Sequence, residues 1–415
     1  MPQLGFGEVL KIRSIRRLWI AQLVSIFGDF LAVFAVFSVV TFQLHGTATQ
    51  VSMILAAYLL PMAVISPFAG VFVDKWNVKW TMIASDLIRG VLVLALLFGQ
   101  HDLWTIYGIF CALSTVSTFF MPAQSVAVRA LAPAAGLLAV NALMSQAVQG
   151  SQIISPSVAG LLVQTIGANS CFLFDSFSFF FSAAMVGTLV IERQRTAGAP
   201  AAAGSLVASM REGFRFIFTH GAISFVMIAM TAGMFAVRCF GALLSVYVRD
   251  VLGSTEVLFG VLNTLIGLGM IVGTQSLHRF ARHIPQQYLV IYGLSGMGLA
   301  VLVTAVFGKV ASTAVGMMGL GFFAAFIMVT AQTLIQRETP HELLGRVSSS
   351  LMSVLAVSQV VAMFVAGPVA QRAGIRNLYF GSAAMLAMIG VVGLRKLRAR
   401  RVPEAAAVTA ADASA

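Results

Sequence analysis

The chain has 415 residues, of which 59% are hydrophobic and only 10% are charged, and its mean hydropathy is +0.94. Soluble domains carry about 25% charged residues, so this composition excludes an ordinary water-soluble protein and indicates a membrane protein. The net charge of +12 would also suit a nucleic-acid-binding protein, but the positions of the basic residues argue against that class.

Twelve apolar runs are long enough to cross a bilayer as helices, which takes about 20 residues. We place these predicted spans at 17–42, 50–73, 81–99, 103–128, 137–163, 168–191, 220–247, 256–277, 286–307, 311–335, 343–371 and 376–394. The connections between them are short, except for the one between the sixth and seventh spans. The sequence therefore predicts an all-α integral membrane protein with twelve transmembrane helices.

The long connection combines a segment rich in alanine and glycine with apolar residues at helical spacing, Leu206, Met210, Phe214 and Ile217. This pattern predicts a hinge followed by an amphipathic helix on the membrane surface. The chain is thus expected to divide as follows: an N-terminal six-helix bundle at 1–191, a cytoplasmic linker at 192–219, a C-terminal six-helix bundle at 220–397, and a disordered cytoplasmic tail at 398–415.

The lysine and arginine residues lie mainly on one side of the predicted spans. If the N-terminus is cytoplasmic, 20 of the 26 fall in cytoplasmic segments, four in outer loops and two, Arg89 and Arg238, inside spans. Cytoplasmic loops of membrane proteins carry this excess of positive charge. We expect a multi-pass membrane protein with both termini in the cytoplasm. Because the bias accounts for the basic charge, we expect no nucleic-acid partner.

One ten-residue phrase occurs twice. VAGLLVQTIG at 158–167 recurs as VAGPVAQRAG at 365–374, 207 residues later, with five of ten positions identical. A repeat read in the same direction, with six spans in each copy, predicts two pseudo-symmetric bundles related by an axis along the membrane normal. This arrangement resembles the two halves of major facilitator transporters, which implies the major facilitator fold and alternating access to a site near the middle of the membrane.

The loop after the second predicted span reads GVFVDKWNVKW, residues 70–80, and is similar to a cytoplasmic motif of major facilitators. Gly70, Asp74, Lys75 and Lys79 match that motif, while an asparagine replaces its second glycine. The resemblance implies a cytoplasmic gate, in which the aspartate and lysines pair across the bundle. The alternative is a simple positively charged loop.

Small residues mark the fifth predicted span, in the sequence GSQIISPSVAG. It is similar to a helix-packing motif of major facilitator antiporters, although serine and alanine replace some of the glycines. Such residues allow close approach of backbones, and a proline can bend the helix. The residues that carry this antiporter-like motif are Gly150, Ser155, Pro156, Ala159 and Gly160. Ordinary helix packing remains the alternative.

The resemblance extends over most of the chain. The matching segments are RRLWIAQLVSIFGD, DKWNVKWTMIASDLIRG, FFMPAQSVAVRALAP, NALMSQAVQGSQIISPSVAGLL, REGFRFI, LLSVYVRDVLGS and ETPHELLGRVSS. They resemble the enterobactin-exporter and macrolide-efflux-like branch of the major facilitator superfamily, which contains drug:proton antiporters. The resemblance implies a secondary active transporter of the bacterial cytoplasmic (inner) membrane that exports small amphipathic molecules, drug or siderophore-like, in exchange for protons.

Ionisable residues inside predicted spans are functional candidates, because burying a charge in a membrane is costly. Asp29 lies about 18 Å along the first span from its cytoplasmic end, close to mid-membrane. We regard Asp29, Arg238 and Asp175 as candidates for proton coupling or substrate binding, with helix packing as the alternative. Asp86 and Arg89 are three residues apart on one helical face and can pair locally, which favours a structural or gating role.

Three other functions remain open. A lipid-type flippase or an importer would use the same fold, and a non-transporting membrane receptor or scaffold belongs to a different class. We expect no enzyme activity, because the sequence shows no nucleophile–base pair and no metal-binding constellation. We likewise expect no cofactor and no metal, and a monomer whose partners are a small-molecule substrate, protons and the lipid bilayer.

Overall fold

Long helices joined by short turns make up nearly all of the described chain. The computed structural model describes residues 4–73, 75–191, 211–212, 214–280 and 284–412. Its helices are α1 (Phe6–Lys11), α2 (Arg13–Ser38), α3 (Ala48–Val73), α4 (Val78–Gly99), α5 (Leu103–Leu131), α6 (Leu137–Ile166), α7 (Ala168–Gly187), α8 (Gly221–Asp250), α9 (Glu256–Phe280), α10 (Gln286–Phe307), α11 (Val310–Glu338), α12 (His341–Ala373) and α13 (Ile375–Asp412). A π-helical turn at Val39–Gln43 extends α2, and a short 3-10 turn precedes α6.

Eleven of these helices are both long enough and apolar enough to cross a membrane. The remaining long helix is α6, which has 30 residues and no ionisable side chain but contains many serine and glutamine residues. All twelve predicted spans therefore correspond to long helices, α2 to α13. The predicted fold class, an all-α membrane protein with twelve membrane helices in the major facilitator fold, is confirmed.

Side-chain caps and glycines fix several helix ends. The Asn77 side chain accepts a hydrogen bond from the backbone N–H of Trp80 at 3.3 Å and so caps α4. The repeated phrase ends in Gly167 and Gly374, whose φ angles are +88° and +90°. This left-handed conformation is easily reached only by glycine, and it ends α6 and α12 at equivalent points of the two copies. The repeated phrase thus specifies both the end of a helix and the glycine that terminates it.

The described helices group into two compact units. The first unit comprises Met1–Ala201, Gly241–Gly267 and Met363–Arg372, so it contains the N-terminal helices together with segments of α8, α9 and α12. Within it, α2 packs against α6 and α7, α4 packs against α5 and α7, and α3 packs against α5. A buried apolar core lies among these helices near one of their ends, with Leu18, Met82, Phe120 and Leu143 as members.

The second unit comprises Ala202–Phe240, Leu268–Ala362 and Ala373–Ala415. Its centre is α10, which packs against α11 and α13. The rings of Phe240 and Tyr379 stack with their centroids 4.1 Å apart. Close helix packing depends on glycine here, because an added Cβ at Gly293 would lie 2.7 Å from the Ile327 side chain.

The structure describes only a small part of the predicted linker but most of the predicted tail. Most of the linker, residues 192–210 and 213, lies outside the described residues, including Leu206 and Met210 of the predicted amphipathic helix. The described stretch 214–219 is helical, with Ile217 buried and Phe218 exposed. At the other end, α13 continues to Asp412 through the segment for which we predicted disorder. The alanine-rich sequence of that segment favours a helix.

Candidate functional site

Four ionisable side chains come together inside the first unit. Asp29 lies on α2, Asp86 and Arg89 lie on α4, and Asp175 lies on α7. They meet because α7 packs against both α2 and α4. The sequence named all four residues as candidates, but on three separate spans. The fold collects them into one group, which we call the charge cluster.

Arg89 is the centre of the charge cluster. Its guanidinium forms an ion pair with Asp86, as their spacing on the helix predicts, and its Nη1 atom lies 3.8 Å from Oδ2 of Asp29. The rings of Phe120 and Phe179 cover the guanidinium carbon at 4.4 and 4.3 Å. Two carboxylates and two aromatic faces therefore hold the only basic side chain of the charge cluster.

Asp175 is fully buried beside Gly28 of α2. A Cβ added at Gly28 would lie 2.7 Å from Oδ1 of Asp175 and 2.6 Å from Oγ of Ser178, so the glycine makes room for this approach. The hydroxyl of Ser178 donates to the backbone oxygen of Asp175 at 2.7 Å, and its oxygen also lies 3.3 Å from Asp175 Oδ1. Because Gly28 precedes Asp29 directly, the two aspartates are electrostatic neighbours.

Charge in this cluster is not balanced. Three carboxylates face a single guanidinium, so the group would carry two net negative charges if every side chain were ionised. Among the described residues, Oδ2 of Asp86 and Nε of Arg89 are buried and have no hydrogen-bond partner. Buried unpaired charge is costly in a membrane protein, and a proton on one of the carboxylates reduces that cost.

Access to solvent differs among the three acids. The Asp29 side chain is 38% exposed, whereas Asp86 and Asp175 are buried. Asp29 is therefore the most accessible of the three acids. Within the described part of the chain, no three His, Cys, Asp or Glu side chains are placed to hold a metal ion.

The antiporter-like motif of α6 packs tightly on α9 within the first unit. An added Cβ at Gly260 would lie 2.2 Å from the carbonyl oxygen of Pro156, and one at Gly160 would lie 2.6 Å from that of Glu256. The hydroxyl oxygens of Ser157 and Thr264 are 2.7 Å apart. The two backbones are thus in direct contact, which only small residues permit.

The other residues of that motif differ in their surroundings. Ser155 donates to the backbone oxygen of Phe27 at 3.3 Å, and Ala159 is fully buried. Gly150, in contrast, has no atom within 4 Å of an added Cβ. The close packing therefore does not include Gly150.

Polar contacts join further helix ends of the first unit. Nη1 of Arg249 donates to the backbone oxygens of Thr41 at 2.6 Å and Gly46 at 3.0 Å, while Arg249 also pairs with Asp250. These bonds connect the end of α8 to the π-helical end of α2. Sequence reasoning missed Arg249, because its acceptors are backbone oxygens that no sequence motif marks.

A comparison with known families decides the identity of the fold. The family model described as Major Facilitator Superfamily matches residues 18–358. The chain belongs to the Major Facilitator Superfamily. It is therefore a multi-pass membrane transporter, and its similar proteins are transporters rather than enzymes.

Curated relatives of this major facilitator include efflux proteins. It is 24% identical to the MFS-type transporter YfiS of Bacillus subtilis over 398 residues, which is 92% of this chain and 93% of the relative. It is also 24% identical to macrolide efflux protein A of Streptococcus pyogenes, with 90% and 94% covered. Against the multidrug efflux pump Tap of Mycolicibacterium fortuitum the identity is 24%, with 87% and 90% covered.

Solved structures agree on the fold. A POT family transporter in complex with 5-aminolevulinic acid superposes with a TM-score of 0.73 and 14% identity, covering 95% of this chain and 97% of that protein. The nucleoside transporter NupG gives a TM-score of 0.70 and 12% identity, with 92% and 98% covered. At these identities the likeness shows the major facilitator fold alone.

The described residues include only part of the cytoplasmic gate motif at 70–80. Asp74 lies outside the described residues, and Gly70 is within α3. Lys75 is exposed and Lys79 is half-buried, on either side of Asn77. Because Asn77 caps α4, the residue that departs from the motif has a structural role of its own.

Arg238 belongs to the second unit. Its Nε donates to Oε1 of Gln359 on α12 at 2.7 Å. The partner is a neutral amide rather than a carboxylate. In the first unit, the structure also places Tyr58 of α3 near Asp29, with Ser117 of α5 beside the Tyr58 hydroxyl. Sequence reasoning did not single out these two, since a tyrosine or serine in a membrane span is common.

Proposed function

We propose that this chain is a secondary active exporter of small amphipathic molecules, driven by proton exchange, and that the charge cluster carries the protons. The observation that supports this proposal most directly is the excess of three carboxylates over one guanidinium inside a membrane bundle. Such a group changes its protonation readily, because each proton removes an unbalanced buried charge.

Proton uptake changes what Arg89 holds together. With Asp29 ionised, the guanidinium is attracted to α2 through Asp29 and to its own helix through Asp86. A proton on Asp29 removes the attraction between α4 and α2 and leaves the pair with Asp86. Protonation thereby alters the contact between two packed helices, which is how a bound proton can bias a conformational equilibrium.

Alternating access also needs contacts that open and close. The bonds of Arg249 to Thr41 and Gly46, and the packing of α6 on α9, join helix ends that the sequence places on the outer side of the membrane. In this proposal these contacts close the outer side and break when the substrate is released outward. The termini then lie in the cytoplasm of a bacterial inner membrane, as the positive-inside bias predicts.

The substrate class rests on the relatives. Proteins named for macrolide efflux and multidrug efflux align over about nine tenths of this chain. We propose amphipathic antibiotics as the first class to test, and siderophore-like compounds as the second. The direction of transport is outward, as the names of these relatives describe.

Transport into vesicles tests the proposal. The purified chain is reconstituted with an imposed pH gradient and a pH-sensitive dye, and macrolides, cationic dyes and catecholate siderophores are added in turn. We expect a substrate-dependent collapse of the gradient that Asp29→Asn abolishes. Asp102→Asn is the matched control, because Asp102 is an exposed carboxylate outside the charge cluster whose capping role asparagine retains.

Two other results would contradict the proposal. A collapse that survives both Asp29→Asn and Asp175→Asn removes the charge cluster from the mechanism. No collapse with any compound contradicts proton-driven export and directs attention to lipid substrates, or to a receptor or scaffold function on the same fold.

A further inference from the structure

The helix α6 differs in composition from the other membrane helices that the structure describes. At about 1.5 Å per residue, its 30 residues are long enough to span a bilayer. Its composition is nevertheless less apolar than that of the eleven other long helices. Its polarity comes from amide and hydroxyl side chains, since Leu137–Ile166 contains no ionisable residue. The N-terminal half of the helix carries most of the glutamine and asparagine.

Four of these side chains share one exposed face. Asn141, Ser145, Gln149 and Gln152 are spaced by four, four and three residues, which places them in one line along a helix. All four are exposed. We call this set the amide strip.

The amide strip has spare hydrogen-bonding capacity. The Gln149 amide donates to the hydroxyl of Ser145 at 3.2 Å. Within the part of the chain that the structure describes, the side chains of Asn141 and Gln152 make no hydrogen bond. Each free primary amide offers two donors and one acceptor oxygen. An unsatisfied amide exposed to hydrocarbon is unfavourable, so this face borders water or a polar ligand rather than lipid tails.

The same face is packed farther along the helix. Pro156, Ala159 and Val163 continue the line of the amide strip, and all three are buried. The contact of Pro156 with Gly260 of α9 belongs to this packed part. The amide strip therefore lies on the same face of α6 as this packed part, nearer the N-terminal end of the helix.

We propose that the amide strip binds the exported molecule, and that it recognises uncharged oxygen-rich groups such as hydroxyl, ester and glycosidic oxygens. Amide and hydroxyl side chains match such groups by donating and accepting hydrogen bonds. A helix without ionisable residues offers no charge to pair with a charged group. This inference rests on the proposed export function and adds the chemical class that the site recognises.

Two probe molecules of equal charge separate hydrogen bonding from apolar binding. Erythromycin and tetraphenylphosphonium are both cations at pH 7, but erythromycin is rich in hydroxyl and ester oxygens, and tetraphenylphosphonium has no hydrogen-bonding group. Equilibrium binding of each radiolabelled probe to the purified full-length chain is measured for the wild type and for the double variant Gln149→Leu, Gln152→Leu.

We expect the double variant to bind erythromycin about tenfold more weakly, because one or two hydrogen bonds to the probe are lost. Its affinity for tetraphenylphosphonium should stay within about twofold of the wild-type affinity. Gln164→Leu is the matched control, because Gln164 is an exposed glutamine of the same helix outside the amide strip. It should bind both probes like the wild type. A second variant, Gln149→Asn with Gln152→Asn, keeps the amides and should retain part of the erythromycin affinity.

Three results would overturn the inference: equal losses for the two probes, unchanged erythromycin binding in the double variant, or no erythromycin binding by the wild type. The proposed function fails separately. If the wild type binds erythromycin through the amide strip but no compound collapses a pH gradient, proton-driven export is wrong while the assignment of the amide strip stands.

Discussion

The two halves of this major facilitator share a repeat but differ in the charges they bury. The first half holds three carboxylates around Arg89, whereas the intramembrane arginine of the second half, Arg238, bonds to the neutral Gln359. The sequence places no aspartate or glutamate inside the predicted spans of the second half apart from the ends of those spans. Carboxylates away from the ends of the predicted spans thus occur in the first half only.

This difference shows which features the duplicated unit has kept. Both copies end their fifth helix with a glycine at positive φ, Gly167 and Gly374, because that stop depends on backbone geometry. The charge cluster depends on single side chains such as Asp29 and Asp175, and the second copy does not carry it. The scaffold is shared, while the proposed coupling chemistry is specific to the first half.

Removing Arg89 should have the largest effect. Arg89→Met leaves Asp86 buried without its partner, which typically costs about 3–5 kcal/mol, so we expect a large fall in Tm and in yield. Thermal unfolding in detergent measures the loss. Arg238→Met is the matched variant of the second half, and its cost should be closer to 1 kcal/mol because its partner is neutral. Equal losses would contradict the difference between the halves.

A double variant separates the ion pair from packing. Arg89→Met with Asp86→Leu removes both charges and should be more stable than Arg89→Met alone by about 2 kcal/mol. If the second change gives no recovery, the cost of Arg89→Met comes from lost packing on Phe120 and Phe179 rather than from an uncompensated carboxylate.

The glycine contacts of α6 and α9 come next in expected effect. Gly260→Val places side-chain atoms against the backbone oxygen of Pro156, so the two helices cannot remain in contact. We expect transport to fall at least about tenfold and a cysteine introduced near Gly160 to become more reactive toward an external maleimide. Gly150→Ala is the control, since Gly150 has open space around it. Normal transport in Gly260→Val would contradict the need for this contact.

Arg238→Lys should have a smaller effect on transport. Lysine keeps the charge but loses the planar donor that bonds to Gln359, which weakens the contact between α8 and α12. We expect kcat to change by no more than about fivefold, and the number of protons exchanged per substrate to stay the same. Loss of proton exchange in this variant would assign coupling to the second half as well.

The smallest effect is expected at Asp102, which lies in a turn outside the charge cluster. Hydrogen bonds from the hydroxyl and backbone N–H of Thr105 lower the pKa of Asp102 below its usual value. The ionised cap therefore stabilises the fold above the unfolded-state pKa, and that contribution is lost as the pH falls through the lowered pKa. Asp102→Ala should reduce Tm slightly at pH 7, and the difference should disappear in strong acid. A difference that persists there would mean that the cap does not act through its charge.

The sequence was sufficient for the fold but only partly for the site. Apolar run length located all twelve membrane helices, because hydrocarbon thickness sets a minimum length that composition reveals. The local pair of Asp86 and Arg89 also followed from helical spacing. The meeting of Asp29 with Asp175 did not, since it depends on α7 packing against α2 beside Gly28.

Other contacts carry no distinguishing sequence signal. The rings of Phe120 and Phe179 cover Arg89. The sequence of an apolar helix does not show whether a phenylalanine contacts lipid, the protein core or a cation. Arg249 bonds to backbone oxygens, which every residue supplies. Side-chain partners of these kinds become visible only once the helices are packed.

Proton release on substrate binding tests the location of the proton site most directly. Substrate is added to the purified chain in weakly buffered detergent solution, and the pH change is recorded for three proteins: the wild type, Asp29→Asn with Asp175→Asn, and Arg238→Gln. We predict release from the wild type and from Arg238→Gln, and none from the double aspartate variant, provided that all three still bind substrate. Equal release from all three would contradict the assignment of proton coupling to the charge cluster of the first half.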